Sequence, residues 1–303
     1  MKKLNASLTV FLAFLTIYLV WGSTYLAIRF GIETFPPFAF AGIRFFLAGI
    51  ILFSVISFKY FSQINKQVIK VAAISGIFLI AGGNGLVTLA EKTVSSGLAA
   101  LWIATIPLWM MFLNWKGFEK KRPATIELLG GAVGVIGIGL LLSATKQSLT
   151  GLSSLPSILM LTVASISWTI GSLYQRQAKL KASPLLISSI QMLAGGLFLI
   201  IWSTLSGEIF NLHLNLISQK STLSLLYLIF IGAIVGFSTY TYLIKNVEPA
   251  KVSTYALVNP VVAVYLGVAL AGEIINPTMI LALLLVLFGV GLILLKPFLV
   301  KVK

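Results

Sequence analysis

Long apolar runs recur along almost the whole sequence, and they constrain the fold more than any other feature. A helix that crosses a bilayer needs about 20 mostly apolar residues, and charged residues, proline and glycine mark the breaks between such runs. Only 10% of the residues are charged, compared with about a quarter in a soluble domain. The sequence therefore predicts an all-α membrane protein with ten transmembrane helices. The ten predicted spans are residues 8–28, 37–58, 68–90, 94–115, 125–144, 155–175, 184–206, 222–244, 251–272 and 277–296.

The distribution of lysine and arginine favours ten helices. Two joins are short, after predicted helices 3 and 8, so nine or eleven helices are alternative counts. With ten helices and both termini in the cytoplasm, 17 of the 22 basic residues lie in inner segments and four in outer segments, with Arg44 inside a helix. Cytoplasmic segments of membrane proteins carry this excess. The first run has no small-residue cleavage site, so it is predicted as helix 1 rather than a signal peptide.

Several chemistries are excluded by missing residue types. The sequence has no cysteine and no aspartate, and its single histidine is His213. Disulfides, thiolate metal sites and imidazole clusters are therefore excluded. We expect no cofactor and no enzymatic activity, because an intramembrane enzyme would need a nucleophile with a base, or a metal cluster. The net charge of +15 lies in short clusters between apolar runs, so we expect no nucleic-acid partner.

The two halves of the sequence resemble each other. At an offset of 147 positions, Trp21, Arg29, Pro37 and Gly49 match the same residue types, and an offset of 153 relates residues later in each half. The halves are predicted as residues 1–149 and 150–303, with five helices each. Because five is odd, the second copy enters the membrane with opposite orientation. Such inverted repeats are characteristic of transporters that expose a central site alternately to each side.

Pro107 and Pro260 are matched at the offset of 153, each inside a predicted helix. Proline removes a backbone hydrogen bond and frees a carbonyl about one turn earlier, which is tolerated in a membrane against protein or a watery cavity. Interruptions at corresponding places in two halves indicate a substrate site, so both prolines are candidate hinges. Packing kinks inherited by duplication are the alternative.

Several stretches together carry a resemblance to a known family through their order, spacing and duplication. They are Trp21-Gly22-Ser23-Thr24-Tyr25, Pro36-Pro37, Ile43-Arg44-Phe45-Phe46-Leu47-Ala48-Gly49, the segment from Ala99 that ends in Ile106-Pro107-Leu108, Ala250 to Pro260, and Gly272-Glu273. With these stretches the chain resembles the EamA-type exporters of the drug/metabolite transporter superfamily over nearly its whole length.

The resemblance implies ten helices in two inverted five-helix repeats, with a central cavity lined mainly by helices 1, 3, 4, 6, 8 and 9. It also implies the export of amino acids, related metabolites or drugs. Two departures concern the symmetry of the site. Gln191 stands where the first half has Arg44, and Glu119 is shifted by one position relative to Glu273.

Aromatic residues at repeat-related positions are candidates for substrate binding. They are Trp21 and Tyr25 on helix 1, Trp102 on helix 4, Trp168 on helix 6 and Tyr255 on helix 9. Aromatic faces suit an apolar side chain or an ammonium cation, and hence a zwitterionic amino acid. The alternative is contact with lipid or an aromatic belt, which we prefer for Trp115 and Trp202 near helix ends.

Polar residues inside the apolar runs are the second group of candidates. Asn84, Gln191 and Asn259 must find partners, so each either binds substrate or ties helices together. Arg44 lies about 10 Å from the outer end of its helix at 1.5 Å per residue. It either serves function, for example by holding a carboxylate, or snorkels to the outer interface. Glu91, on the same helix face as Asn84, is a candidate proton site, whereas export without a proton remains the alternative.

The leading hypothesis is a secondary transporter in the cytoplasmic (inner) membrane of a prokaryote that exports a small molecule, an amino acid or an amphipathic metabolite. A nucleotide-sugar or sugar-phosphate carrier is the alternative within transport, and a scaffold or receptor is the alternative outside it. Glycines in helices 5 and 10 allow close helix packing within or between repeats, and a homodimer through this face is a further hypothesis. These glycines are Gly130, Gly134, Gly137, Gly139, Gly289 and Gly291.

Overall fold

The computed structural model describes residues 2–94, 96–144, 155–271 and 277–294, and all regular structure within these ranges is helical. In this part of the chain, six helical spans are long and apolar enough to cross a membrane. They are Leu8–Gly31, Pro37–Gln63, Lys66–Ala90, Leu155–Gln177, Pro184–Leu205 and Gln219–Asn246. Two shorter apolar helices are Thr125–Leu140 and Ile280–Leu294. The prediction of an all-α membrane protein is confirmed at this level.

The helices begin where the local sequence favours it. Pro37 and Pro184 occupy first turns, where the missing N–H costs no hydrogen bond. The first half contains α1 (Lys2–Gly31), α2 (Pro37–Tyr60), α3 (Lys66–Gly76), α4 (Leu86–Ala90), α5 (Ser96–Ile103), α6 (Ile106–Gly117) and α7 (Thr125–Ala144). The second half contains α8 (Leu155–Gln177), α9 (Pro184–Leu205), α10 (Gln219–Tyr227), α11 (Ser238–Asn246), α12 (Pro249–Val252), α13 (Tyr255–Ala271) and α14 (Pro277–Leu294). Short 3₁₀ helices span Phe61–Gln63, Glu208–Asn211 and Leu214–Leu216.

Two long spans contain a π-helix in the middle. The segment Ile77–Gly85 joins α3 to α4, and the segment Leu228–Phe237 joins α10 to α11. These segments lie at corresponding positions of the two halves, because shifting the residue numbers of the first by the repeat offset of 153 places it almost on the second. A π-helix leaves carbonyl groups less well paired than an α-helix and is frequent at functional sites. Both segments face the cavity described below.

The predicted fourth and ninth helices are each broken into two pieces. One break, at Ala104 and Thr105, separates α5 from α6, and the other, at Ser253 and Thr254, separates α12 from α13. At both breaks a threonine hydroxyl donates to a carbonyl three residues earlier, at 2.8 Å for Thr105 and 2.7 Å for Thr254. The same carbonyls, of Trp102 and Lys251, also accept from the backbone N–H of these threonines, at 3.1 Å and 3.2 Å.

The two candidate hinge prolines hold different places relative to these breaks. Pro107 lies in the first turn of α6, directly after the break. Pro260 lies inside α13, which continues unbroken from Tyr255 to Ala271. In the second half the proline and the break therefore do not coincide, because the break forms at Ser253 and Thr254, one to two turns earlier.

Helices with corresponding places in the two halves pack against each other. α2 lies along α9, and α7 lies along α14. Glycine permits the second approach, because a Cβ atom on Gly130 would lie 2.7 Å from the carbonyl oxygen of Gly289. The predicted glycine face is thus used between α7 and α14 of one chain. At Gly139 and Gly291 a Cβ atom would meet no described heavy atom within 4 Å. Gly272 and Glu273 lie outside the described residues.

Candidate functional site

A cavity of about 630 Å³, including its mouth, lies between the two halves of the chain. The first half contributes α1, α2, the first π-helix, α5 and α6 to its wall, and the second half contributes α8, the second π-helix and α13. Seven of the nine residues predicted to bind substrate line this cavity. They are Trp21, Tyr25, Arg44, Asn84, Trp168, Tyr255 and Asn259.

Aromatic rings form one end of the cavity around Trp21. The ring centroid of Trp21 lies 5.4 Å from that of Trp168 and 4.9 Å from that of Tyr255, both in edge-on geometry. The indole Nε1 of Trp21 donates at 3.2 Å to the carbonyl oxygen of Gly232, a residue of the second π-helix. Edge-to-face pairs at these distances stabilise a fixed arrangement. The rings therefore form a rigid apolar wall.

Two aromatic residues were missed in the sequence: Tyr240, which packs behind this wall, and Phe237, which is part of it. Tyr240 is fully buried, with its ring centroid 5.1 Å from those of Trp21 and Trp168. Its hydroxyl accepts from Trp168 Nε1 at 3.0 Å and pairs closely with Ser172. Phe237 lines the cavity beside Trp168. Because Phe237 and Tyr240 are three residues apart, they share a helix face, and this spacing was the signal available in the sequence.

The other end of the cavity is polar and centres on Arg44. This side chain is 3% exposed, so it is buried in the protein rather than snorkelling to the interface. Its Nη2 donates to Asn84 Oδ1 at 3.0 Å, and its Cζ lies 4.2 Å from the ring centroid of Phe45. The Nε atom has no hydrogen-bond partner in the part of the chain that the structure describes. The guanidinium is thus held through Nη2, while the adjoining Nε is buried without a described partner.

Glu91 is buried close to this polar end, directly after α4. Neither of its carboxylate oxygens has a hydrogen-bond partner among the described residues. The charges of Arg29 and Arg44 act on it through space, and Arg29 Nη1 donates to its backbone carbonyl. Glu91 therefore lies beside the cavity within an arginine-rich environment, which keeps it a candidate proton site.

Trp102 does not line this cavity, contrary to the expectation from the sequence. It lies in a separate groove with Trp109 and Phe112, and its Nε1 donates to Thr162 Oγ1 at 2.9 Å. The reason is the rotation of α5 and α6. Ile103 and Ile106 face the cavity, so the helix face that carries Trp102 and Trp109 points elsewhere.

Gln191 is the second predicted residue that lies outside the cavity. It is fully buried on α9, where its Nε2 donates to Ser75 Oγ at 2.8 Å and to Gln175 Oε1 at 2.6 Å. Its Oε1 accepts from Thr241 Oγ1 at 3.3 Å. Of the two roles considered for this amide, the geometry favours the one that ties helices together, because these bonds join α9 to α3, α8 and α11.

A polar cluster joins both halves after α6, at the ends of two long apolar spans. Glu119 Oε1 accepts from Arg176 Nε at 2.7 Å, and Arg176 Nη1 donates to the carbonyl oxygens of Ile244, at 3.0 Å, and Val247. Partial burial acts to raise the pKa of Glu119. The hydrogen bond and charge of Arg176, with smaller effects from neighbouring polar groups, outweigh this and hold the pKa below its usual value. Nearby, Lys121 pairs with Glu248.

Comparison with known proteins gives the chain a family context. The model of the EamA-like transporter family matches residues 8–143 and 155–295. The "Uncharacterized inner membrane transporter YedA" of Escherichia coli (strain K12) is 38% identical over 98% of this chain and 94% of its own length. A protein of Salmonella typhimurium (strain LT2), named "Probable amino-acid metabolite efflux pump", is 27% identical over 92% of each chain.

A solved crystal structure of a protein shares the fold. It superposes with a TM-score of 0.75 at 17% identity, over 95% of this chain and 98% of that chain. Its likeness shows the shared fold alone. The family match and the named relatives direct attention to transport across a membrane.

Proposed function

Because the chain belongs to the EamA-like transporter family of the drug/metabolite transporter superfamily, we propose that it is a secondary transporter that exports amino acids, related small metabolites or drugs by alternating access. The observation that carries this proposal is the cavity with walls from both halves of the chain. A scaffold has no need of such a space, and the relatives are named as transporters rather than receptors. The efflux pump relative from Salmonella typhimurium supports amino-acid metabolites as the substrate class.

The proposed architecture is ten transmembrane helices in two inverted repeats, residues 1–149 and 150–303. Three observations support it. Corresponding helices pack in pairs, α2 with α9 and α7 with α14. π-helices occupy corresponding places in two long spans. The charge distribution favours both termini on the cytoplasmic side. The inner membrane of a prokaryote is the proposed location, in agreement with the inner membrane relative.

In this topology the cavity lies towards the outer side. Its lining includes Tyr25 near the end of α1 and Arg44 near the start of α2, and these helix ends meet on the outer side of the proposed membrane. The ion pairs of Glu119 with Arg176 and of Lys121 with Glu248 lie on the inner side. Export would require these inner contacts to open so that substrate can enter from the cytoplasm.

The proposed substrate-binding residues are the seven that line the cavity. The test is uptake into proteoliposomes that contain the purified protein, with labelled amino acids, amines and drugs as substrates under imposed gradients. Replacing Trp168 by alanine should weaken transport about tenfold, because it removes an aromatic wall. Trp202→Ala is the matched control, since Trp202 is half exposed near a helix end. If no substrate of any class moves under any gradient, the proposal fails.

The architecture has its own test. Single cysteines placed in residues 116–123 and 176–183 should react with a membrane-impermeant thiol reagent from the same side of the bilayer, because both segments are cytoplasmic in the proposed topology. The natural chain has no cysteine, so the background is free of other thiols. Reaction from opposite sides would refute the inverted arrangement.

A nucleotide-sugar or sugar-phosphate carrier remains the second candidate within transport. Such a substrate brings two or more negative charges and would need several cations in the cavity. Arg44 is the one cationic side chain among the described residues that line it. The geometry therefore favours substrates of low charge, and the same liposome assay with labelled nucleotide sugars separates the two candidates.

A further inference from the structure

Two buried polar atoms of the cavity wall lack a hydrogen-bond partner among the described residues, Nε of Arg44 and Oδ1 of Asn259. Asn259 is 1% exposed, and its side chain interacts with the Tyr25 hydroxyl, so the amide is held in place. A buried polar atom that stays unpaired costs about 1 to 3 kcal/mol, and each such atom in a native protein calls for an explanation. One of the two atoms is a charged donor, and the other is an acceptor.

The Arg44 guanidinium is preorganised for an anion. Its Nη2 donates to Asn84 and its plane contacts the Phe45 ring, so both contacts fix the group while the adjoining Nε stays buried without a partner in the described chain. A fixed guanidinium presents N–H groups in a planar fork that matches a carboxylate. An ammonium ion has no favourable contact with the guanidinium, because both groups are cationic.

The charge around this group also favours an anion. Two arginines, Arg29 and Arg44, face a single acidic side chain, Glu91. Even when Glu91 is ionised, the positive charges of this group exceed the negative charge. The Glu91 oxygens make no hydrogen bond to Arg44 or to any other described residue, so they do not pair with its Nε. In a site of low dielectric constant, a surplus of positive charge favours a ligand that brings a negative charge.

We propose that Arg44 determines the specificity of this cavity by requiring a carboxylate on the substrate. Asn259 Oδ1 accepts a hydrogen bond from an N–H group of the same molecule, and the aromatic wall around Trp21 and Trp168 contacts its apolar part. This inference rests on the proposed transport function and extends it by separating substrate classes. Amino acids and other carboxylates of single charge are accepted, whereas amines without a carboxylate are refused.

Three probes that share a phenylethyl group test the inference on the unmodified protein. They are L-phenylalanine, 3-phenylpropionate, which lacks the ammonium group, and 2-phenylethylamine, which lacks the carboxylate. Binding to the detergent-solubilised protein is measured by the quenching of tryptophan fluorescence, since Trp21 and Trp168 line the cavity. We expect L-phenylalanine to bind most tightly and 2-phenylethylamine about 10- to 100-fold more weakly, because it forfeits a charge-assisted hydrogen bond. 3-Phenylpropionate should lie between them.

Variants then assign each contact to its residue. Arg44→Gln should weaken both carboxylate probes about 10- to 100-fold and leave the amine unchanged. Arg44→Lys keeps the charge but not the fork, so the loss should be smaller. Asn259→Ala should weaken L-phenylalanine and spare 3-phenylpropionate, which has no N–H group. Arg122→Gln is the control, because Arg122 is exposed and lies outside the cavity.

The outcomes separate this inference from the proposed function. If 2-phenylethylamine binds as tightly as the two carboxylates, or if Arg44→Gln of unchanged melting temperature binds them normally, the inference is overturned while transport stands. If none of the three probes binds, the inference is also overturned, and the proposed function falls only if the liposome assay fails as well. The comparison of probes on the unmodified protein decides the matter even where a variant does not fold.

Discussion

Replacing Gln191 by leucine tests whether this side chain ties helices together or contacts the substrate. Gln191 lies outside the cavity and makes hydrogen bonds to three side chains on three helices, those of Ser75, Gln175 and Thr241. Leucine has a similar volume and lacks polar groups. The substitution therefore removes three hydrogen bonds without opening a large cavity.

The expected loss of stability follows from the partners left behind. Hydrogen bonds between helices in a membrane contribute about 0.6 kcal/mol each on average, so three amount to about 2 kcal/mol. Ser75 keeps its bond to the carbonyl oxygen of Ala72 at 3.1 Å. Gln175 would lose more of its hydrogen bonding. Its Nε2 already has no partner in the described chain, and its Oε1 would lose the hydrogen bond from Gln191. An orphaned amide adds about 1 to 3 kcal/mol, so we expect a total of roughly 3 to 5 kcal/mol.

Equilibrium unfolding of the detergent-solubilised protein by SDS measures this free energy. Gln177→Leu is the control. Gln177 is exposed at the C-terminal end of α8, so its substitution should change the free energy of unfolding by less than about 0.5 kcal/mol. Substrate affinity of folded Gln191→Leu protein should stay within about twofold of the unmodified protein. A variant with unchanged stability and lost affinity would refute the assignment and return Gln191 to the binding site.

Three further predictions follow from the contacts. Gly130→Ala should destabilise the protein by about 1 to 3 kcal/mol in the same unfolding assay, because its Cβ would press on a backbone carbonyl, whereas Gly139→Ala in open space should not. Glu119 stabilises the folded protein above its unfolded pKa of about 4.5, and this contribution is lost as the pH falls through its lower folded pKa. The melting temperature of Glu119→Gln should therefore depend less on pH than that of the unmodified protein between about pH 5 and about pH 3. Equal dependence in both proteins would contradict this. Trp102→Ala should change substrate affinity, measured by fluorescence titration, by no more than about twofold. A tenfold loss would instead place the substrate site in the groove that contains Trp102.

The sequence predicted the all-helical membrane class and named seven of the residues that line the cavity. Apolar runs identified the long spans because a bilayer imposes their length on the chain. Internal repetition singled out Trp21 and Trp168, whose rings meet in the structure. Repetition succeeds here because residues at corresponding places in two packed halves face the same central space. Composition alone would not have separated these tryptophans from Trp202 at a helix end.

Sequence reasoning failed where the answer depended on helix rotation. The spacing of Trp102 and Trp109 shows that they share a face, but spacing does not say which neighbour that face meets. Gln191 raised the same difficulty, since a buried amide satisfied by side chains and one open to a cavity look alike in sequence. The π-helices were missed for another reason. Their extra residue per turn is set by packing against neighbouring helices, and Gly82 and Gly83 permit it without requiring it.

The arginines at positions 29 and 176 connect the repetition in the sequence to the mechanism proposed here. They stand 147 positions apart, and each donates through Nη1 to a backbone carbonyl, Arg29 to Glu91 and Arg176 to Ile244. The two acceptors stand 153 positions apart, which is the second offset of the repeat. Each arginine therefore meets the negative C-terminal end of the third span of its own half.

In the proposed inverted arrangement one of these contacts lies on the outer side and the other on the inner side. Breaking one charge-assisted hydrogen bond costs about 1.5 to 3 kcal/mol. The two arginines are not equal in this respect, because Arg176 also donates to Glu119 and Val247, whereas Arg29 donates to the Glu91 carbonyl. Opening the inner side therefore breaks more bonds around its arginine than opening the outer side, so the inner closure is the stronger of the two in this arrangement.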